Sequence, residues 1–479
     1  MPYQFSVPTT SSISLQSCIS SDSHPSLPFT ATTYRAILRN ALKKHKRLSP
    51  QAQATDLTSV RSSLIGYLPY LFALDAALSD GTVEEEEINA ALGKEVEAEW
   101  RSSISTTLPG REPPRTKCKG LDYEICCVLS TLGYISTLLA RSQLHMLYGA
   151  ISPTPDQKTA IITAATKHLL DSASVHMYLV NRCGENAASG LLPETSSSAQ
   201  GALARLALAE ATLLAVLKDD PWPGVVAQDR NKNDKEWMIK PPEIPKVRTH
   251  LFARLCLAAA DHAGAAESML KSEATGRTGR IDVALIKYIT DLKKTSRAKA
   301  CRFFGIDADM GGETGKGLAW LNAGEEELGF TKPQAEGSKF QGLAKLKKDW
   351  TEKREDKKIE KGRDWGSDAG RFEEARILEM LKKKWNKMND TVNTQIVPPS
   401  GPLIANMPSG RDIHSTKPFV PPTLDADTLS QMRAPPDRSN IESDGSDSSS
   451  DEETSAPGST HLPGAFPGGS TSTAGESYY

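Results

Sequence analysis

The chain has 479 residues, with 57 Lys and Arg against 59 Asp and Glu, so its formal net charge is -2. This balance excludes the overall basicity with which many nucleic-acid-binding proteins hold phosphates. The seven cysteines form an odd set without a C-x-x-C pair, which favours reduced, buried thiols over a disulfide framework or a zinc site. No uninterrupted apolar run approaches the ~20 residues that cross a bilayer, so we expect peripheral membrane association only.

Helical periodicity dominates the chain. A short strand or extended arm is predicted at residues 4–8, between Pro2 and Pro8. Helices are predicted over residues 31–46, 52–78, 84–104, 121–148, 156–183, 199–218, 246–270, 280–304, 315–328, 338–362 and 368–388. Pro69 should kink or split the second of these, because a proline inside a helix removes a backbone hydrogen bond. The pattern predicts an all-α fold with a small N-terminal strand element.

The C-terminal part changes in composition. From Thr391 the chain is rich in Pro, Ser and Gly, and beyond Leu424 it is low in large apolar residues. Such a segment buries too little surface to order. We therefore predict a folded domain over residues 1–420 and a disordered, protease-sensitive tail over residues 421–479. The acidic serine cluster at residues 443–455 is either a phosphorylation site or a solubilising segment.

The helix predicted at residues 246–270 carries two apolar stripes. Small residues form one of them: Ala253, Cys256, Ala260 and Gly264. Small side chains let helix axes approach closely, so this stripe is predicted to be core. The other stripe contains Leu251 and Leu255. It is either more core, which is the commoner role of an apolar stripe at helical spacing, or a docking surface.

The segment from Lys345 to Lys387 is basic and carries Trp350, Trp365 and Trp385. Its lysines Lys382, Lys383 and Lys384 are a candidate contact for anionic lipid headgroups or an acidic partner. The alternative, which is the commoner role of such a segment, is a solvated charged face with its tryptophans packed inward.

Nothing in the sequence indicates catalysis. The segment GGETGKG at residues 311–317 departs from a phosphate-binding loop, because Met310 and Gly317 stand where glycine and Ser or Thr are needed. The nine histidines are scattered, and no Cys/His set has the spacing of metal ligands. We predict no enzyme activity, no metal and no cofactor, and we expect the chain not to sense pH through histidine. An enzyme whose active site lies in unrecognised loops is the alternative.

Three segments resemble the Bro-domain (Bro-one type) family of ESCRT-associated adaptors. They are GLDYEICCVLSTLGYISTLLA at residues 120–140, the pair LARLALAEATLLAVLK and HLFARLCLAAADHAGAA at residues 203–218 and 250–266, and NDTVNTQIVP at residues 389–398. Ser130 replaces the asparagine usual in the first segment. The resemblance implies a curved helical solenoid with a tetratricopeptide-like core. The start PYQFSVPTT and the run GKGLAWLNAGEEELGF resemble the fungal pH-response members of this family.

The resemblance also implies a function. It implies an adaptor of the fungal ambient-pH (Pal/Rim) pathway that binds the ESCRT-III core filament subunit of the Snf type. Such an adaptor is required when a calpain-like protease processes the transcription factor PacC at alkaline pH, through direct or indirect contact. It would be cytoplasmic and recruited to plasma-membrane or endosomal ESCRT sites. A general ESCRT-associated adaptor in endosomal sorting and a membrane-surface helical scaffold are the alternatives.

The resemblance places the partner-binding residues as well. The two aliphatic positions of the family's binding patch fall on Leu251 and Leu255. A third position, aromatic in relatives, falls on Ala215 or Val216, so this chain departs from the pattern there. We expect these residues to dock an amphipathic helix of the ESCRT-III subunit.

Overall fold

In the computed structural model, successive helices pack on one another in chain order. The structure describes residues 1–79, 81–106, 112–148, 154–185, 192–229, 246–274, 281–329 and 366–436. The helix predicted at residues 338–362, Trp350, Trp365 and the tail beyond residue 436 lie outside the described residues. Met1–Pro435 form one compact unit.

Most of the described chain is α-helical, which confirms the predicted fold class. The helices are α1 (Ser26–Arg47), α2 (Pro50–Leu78), α3 (Leu121–His145), α4 (Pro155–Glu185), α5 (Ser197–Asp219), α6 (Trp222–Asp229), α7 (Lys246–Ala274), α8 (Val283–Met310), α9 (Thr314–Glu327), α10 (Arg371–Met388), α11 (Ser400–Ala405) and α12 (Ala426–Gln431). The helix α2 continues through Pro69, so the predicted split is wrong. Buried residues on both sides of Pro69, including Leu64, Leu68 and Leu71, pack into the same apolar core.

In the described part of the N-terminal region, six short strands form three antiparallel pairs. They are β1 (Ile19–Ser21) with β4 (Ala90–Leu92), β2 (Thr82–Val83) with β3 (Glu86–Glu87), and β5 (Glu97–Arg101) with β6 (Arg115–Lys119). The strand element therefore lies after the predicted arm at residues 4–8, which is not a strand. In that arm Phe5 is buried and stacks on Tyr134, with ring centroids 4.6 Å apart.

The helix predicted at residues 84–104 is wrong. Ala98 and Trp100 are buried in alternation along β5, and Val96 is buried just before it. A spacing of four residues fits one face of a strand as well as one face of a helix, because four is a multiple of the strand period of two. Glu84 and Glu85, both in the left-handed region, form the turn between β2 and β3 and exclude a helix there.

Within the described residues, two helices are long and apolar enough to cross a membrane by length and composition: α3 and α5. Within their most apolar windows, however, 89% and 72% of the residues are buried inside the protein. Each packs against α4. Contact with neighbouring helices on several sides therefore accounts for their apolar composition.

Two buried polar centres join elements of the stack. The first, here called the ion centre, is built on Arg302 of α8, which donates to Asp220 and Glu374 at 2.6 Å each. Lys299 donates to the same Glu374 at 2.8 Å. This centre ties α8 to the start of α6 and to α10. Buried charges of this kind are held because each one meets an opposite charge and hydrogen bonds.

The second, here called the neutral centre, joins α3, α4 and α5. The amide oxygen of Gln200 lies 2.7 Å from Nδ1 of His176, and its nitrogen donates to the Ser130 hydroxyl at 2.8 Å. All three residues are buried. Burial lowers the pKa of His176 to about 4, so the imidazole is neutral at physiological pH.

The folded unit extends beyond residue 420. Leu424 and Leu429 are buried in the apolar core that α1, α2 and α3 share. The compact unit accordingly ends at Pro435. The boundary that composition placed at residue 420 overlooked these two leucines. Disorder of the remaining tail stays a prediction.

Candidate partner-binding surface

The face of the stack that carries the predicted docking residues is crossed by a C-terminal segment, residues 406–435, here called the strap. It first meets α7, where Arg254 donates to the carbonyl of Ser409 at 3.1 Å and accepts from the amide of Arg411 at 3.0 Å. Gly410 lies so close to α7 that a Cβ there would stand 2.5 Å from the nitrogen of Ala258. The strap backbone therefore lies directly on the helix, as only glycine permits.

From α7 the strap passes over α5 and α4. His414 Nε2 lies 3.3 Å from the carbonyl of Ala211 in α5, and Ser174 of α4 donates its hydroxyl to the carbonyl of Lys417 at 2.7 Å. One extended segment thus bridges three helices that are far apart in sequence.

The strap ends against the first part of the fold. Phe419 packs edge-on against Tyr178 of α4, with ring centroids 5.3 Å apart. Farther on, the amide of Ser26 at the start of α1 donates to the carbonyl of Met432 at 3.2 Å. The strap therefore links α7 to α1 across the intervening helices.

The structure separates the two leucines of the predicted docking stripe. Leu255 is only 4% exposed and belongs to the core formed by α7, α8, α9 and α10. Leu251 is half-buried at the edge of that core. The Leu255 side chain is therefore already covered by the protein's own helices. Docking through Leu251 stays a prediction.

The pair on α5 divides in the same way. Val216 is 2% exposed and belongs to the same core, whereas Ala215 is half-buried. Of the four predicted contact residues, Leu251 and Ala215 are thus the two with accessible side chains.

Ile413 is an exposed aliphatic residue on this face that the sequence pattern did not indicate. Ile413 is 42% exposed and lies between Asp412, which contacts α7, and His414, which contacts α5. Side chains of an extended segment alternate in direction, so two polar neighbours that bind the protein leave the middle side chain outside. The alternation Asp-Ile-His was the available signal, but it has meaning only once the strap is known to lie on the helices.

The strap crossing also brings two histidines together. His262 Nε2 lies 2.8 Å from Asp412 of the strap, and its Nδ1 lies 3.2 Å from Arg205 of α5. The Arg205 guanidinium can donate to Nδ1, and Nε2 can donate to the Asp412 carboxylate. Burial lowers the pKa of His414, the hydrogen bond to Ala211 opposes that shift, and His262 adds to it. The scattered spacing in the sequence did not predict this meeting.

The three candidate lysines of α10 differ in their surroundings. Lys382 forms an ion pair with Glu325 of α9 at 2.6 Å. Lys383 is exposed, whereas Lys384 is half-buried, and burial lowers its pKa although Asp309 acts in the opposite direction. Trp385 is buried in the core. For this tryptophan the inward-packed alternative holds, and a lipid contact through Lys383 stays a prediction.

The glycine-rich turn before α9 is filled by the protein itself. The amide of Gly315 donates to the side chain of Gln395 at 2.9 Å, and the Gln395 amide nitrogen donates to the carbonyl of Gly312 at 2.8 Å. A Cβ at Gly315 would stand 2.5 Å from the carbonyl oxygen of Ile396. The glycine is therefore needed for close backbone packing. Its amide has an internal partner and is not free to hold a phosphate.

The described residues contain no group of three or more His, Cys, Asp or Glu arranged to hold a metal ion. The seven cysteines are free and buried.

No family model matches the chain. It is 44% identical to the pH-response regulator protein palC of Emericella nidulans, over 98% of this chain and 99% of that protein. The chain belongs to the PalC family of pH-response regulators. A second PalC, from Cryptococcus neoformans, is 33% identical over 150 residues, which are 30% of this chain and 28% of that protein.

Solved structures give the fold of this PalC-family chain. ALIX in complex with the SIVmac239 PYKEVTEDL late domain aligns with 91% of this chain and 51% of that chain, at 12% identity and a TM-score of 0.55. A structure reported as the basis for endosomal targeting by the Bro1 domain aligns with 90% and 95% of the two chains, at 15% identity and a TM-score of 0.47. The ALIX alignment shows that the two chains share a fold.

Proposed function

We propose that this PalC-family chain is a scaffold of ambient-pH signalling that binds the ESCRT-III core filament subunit of the Snf type. In this role it is required for proteolytic processing of PacC at alkaline pH. The observation that carries the proposal is the 44% identity to a pH-response regulator along nearly the whole of both chains. The ESCRT-III partner is supported by the sequence resemblance to Bro-domain adaptors.

The proposed contact is the accessible part of the strap-crossed face. Leu251 on α7 and Ala215 on α5 are half-buried, and Ile413 of the strap is exposed beside the same two helices. An amphipathic helix presents its own apolar residues at i, i+3 and i+4, which suits a strip of apolar side chains on neighbouring helices. Arg205 and Asp412 border the strip, and both can pair with the polar edge of such a helix.

In this role the chain carries out no enzymatic step. It acts by bringing partners together in the cytoplasm, and it is recruited to plasma-membrane or endosomal ESCRT sites as a peripheral protein. A direct and an indirect link to the calpain-like protease are both compatible with this role.

The test measures binding of the full chain to the purified ESCRT-III core subunit by titration calorimetry. Burying half of a leucine side chain contributes on the order of 1 kcal/mol, and a carboxylate placed at the contact adds a desolvation cost. We expect Leu251→Asp to weaken binding about tenfold or more while the protein stays folded. Ile65→Asp is the matched control, because Ile65 is an exposed isoleucine on α2, away from this face.

A Leu251→Asp protein that is folded and binds at full strength would refute this surface. Leu255→Asp is not a binding test, because it would place a charge in the core and unfold the protein. A strain carrying Leu251→Asp should lose alkaline processing of PacC. If endosomal sorting fails instead and PacC processing persists, the chain is a general ESCRT adaptor.

A further inference from the structure

Two buried thiols lie in contact between α3 and α4. The Sγ atoms of Cys126 and Cys183 are 3.4 Å apart, although the residues are 57 positions apart in sequence. Both cysteines are free, and they are 4% and 8% exposed. The contact therefore exists only when the two helices are packed together.

The two sulfurs differ in their electrostatic environment. The hydrogen bond with Cys126, in which either thiol can be the donor, lowers the pKa of Cys183, burial opposes this shift, and the nearby Arg182 guanidinium adds to it. Asp122 opposes this shift, and Arg182 is itself paired with Asp75 and Asp122. The pKa values of the other thiols with a resolved shift are raised, namely those of Cys118, Cys126, Cys127, Cys256 and Cys301. Cys183 is thus the one of these six whose pKa is lowered, and a lower pKa increases the share of the nucleophilic thiolate.

Access to the pair differs from access to the other buried thiols. Cys183 lies in the last turn of α4, which ends at Glu185. Helix ends open locally at low cost in free energy. Cys256 and Cys301, by contrast, lie well inside α7 and α8 and are fully buried. A small oxidant can therefore reach Cys183 without global unfolding.

We propose that Cys126 and Cys183 form a modification site that closes to a disulfide with hydrogen peroxide and reopens with a dithiol. This proposal is independent of the ESCRT-III contact. The Cys183 thiolate attacks one peroxide oxygen, the O–O bond breaks, and the leaving hydroxide takes up a proton as water. Cys126 then attacks the resulting sulfenic sulfur, the S–S bond forms, and the S–O bond breaks. The second hydroxide leaves as water with the proton of Cys126, so two thiols and one peroxide give one disulfide and two waters.

The bond would fix the contact between α3 and α4 covalently. A cross-link between residues far apart in sequence restricts the unfolded chain more than a local one does. The oxidised protein should therefore melt several degrees above the reduced protein. Added dithiol should remove the difference.

The test uses the full chain, reduced and then treated with equimolar hydrogen peroxide. Remaining thiols are alkylated, and the linked peptides are identified by mass spectrometry without reduction. We expect a Cys126–Cys183 link to form in the folded protein before Cys256 or Cys301 react. Cys127→Ala is the matched control, because it removes the adjacent thiol and should leave the link, whereas Cys126→Ala and Cys183→Ala should abolish it.

A wild-type chain that gives no linked peptide under these conditions would overturn the proposal. Persistence of a link to Cys183 in Cys126→Ala would overturn it as well, because Cys127 would then be the partner. If the alanine variants do not fold, the test rests on the wild-type chain alone, and link formation in buffer is compared with link formation in urea. A link that forms only in urea, and not in buffer, belongs to the unfolded chain and refutes the site.

Discussion

The ion centre and the neutral centre perform the same structural task with different chemistry. Arg302 gathers two carboxylates from α10 and from the start of α6, and every one of these groups is buried and charged. His176 and Gln200 join three helices through hydrogen bonds between uncharged groups. In the ion centre each charge depends on its partner. In the neutral centre, removing one partner of a hydrogen bond leaves only one uncharged polar atom unpaired.

The two centres lose their stabilising interactions in different ways. Breaking one member of a buried ion cluster leaves opposite charges uncompensated, so a single substitution has a large effect. A neutral centre loses less with one substitution, but it fails when a proton turns it into a charged centre. The two centres should therefore respond differently to mutation and to pH.

The largest effect is expected for Arg302→Met. It leaves the carboxylates of Asp220 and Glu374 buried without their guanidinium, and we expect a loss of about 3–5 kcal/mol in the free energy of unfolding. Urea denaturation measures it. Adding Asp220→Asn and Glu374→Gln to the same chain removes the stranded charges and should recover part of the loss. If the single variant loses less than about 1 kcal/mol, the ion centre is not a true charge cluster.

Acid should weaken the neutral centre. The pKa of His176 is about 4 in the folded chain against an ordinary 6.5, so the unfolded chain binds more protons between these values. The free energy of unfolding therefore rises with pH through this window. As the pH falls from about 6.5 towards about 4, the protein loses up to about 3 kcal/mol of this free energy. Denaturation curves across this range test it, and His176→Gln should flatten the profile. An unchanged slope in that variant would contradict the assignment.

Gly133→Ala tests the packing of the neutral centre without changing its polar groups. A Cβ at Gly133 would clash with Nε2 of His176, so the ring must shift and its bond to Gln200 is disturbed. We expect a loss of about 1–3 kcal/mol in thermal or chemical unfolding. Gly224→Ala is the control, because nothing lies within 4 Å of that Cβ in α6. Equal effects of the two substitutions would mean that the contact with His176 is not tight.

The smallest effect is expected for Lys382→Ala. The ion pair of Lys382 with Glu325 has nearly the same length as the bonds of Arg302, but water reaches it. Such pairs contribute about 0–1 kcal/mol, and salt weakens them. A larger loss, persisting in high salt, would show that burial is not what separates this pair from the ion centre.

Local pattern predicted the long helices, but it also predicted a helix at residues 84–104, where the structure has strands. The small-residue stripe of α7, with Ala253 and Cys256, is core as its spacing predicts. The strands could not be found in that way, because β1 pairs with β4 some 70 residues later and its partner is fixed by the tertiary fold. Trp100, at a spacing common to helix and strand, shows how one pattern supports two structures.

The docking residues show a different limit. Leu251 and Leu255 stand one turn apart on the same helix and have the same side chain. Which of them is accessible depends on α8, α9 and α10, and on a strap about 150 residues away in the sequence. Burial is a property of the assembled fold, so no feature within α7 distinguishes the two leucines.

The strap has a consequence for how the molecule comes apart. In an open helical array each unit touches only its neighbours, so unfolding can start at either end and proceed unit by unit. Here the segment that lies on α7 also holds Ser26 of α1 through Met432. Opening the first helix therefore releases contacts on a distant unit, and the array behaves as a closed ring. We infer that Met1–Pro435 loses structure in one concerted transition, without a ladder of partly unravelled species.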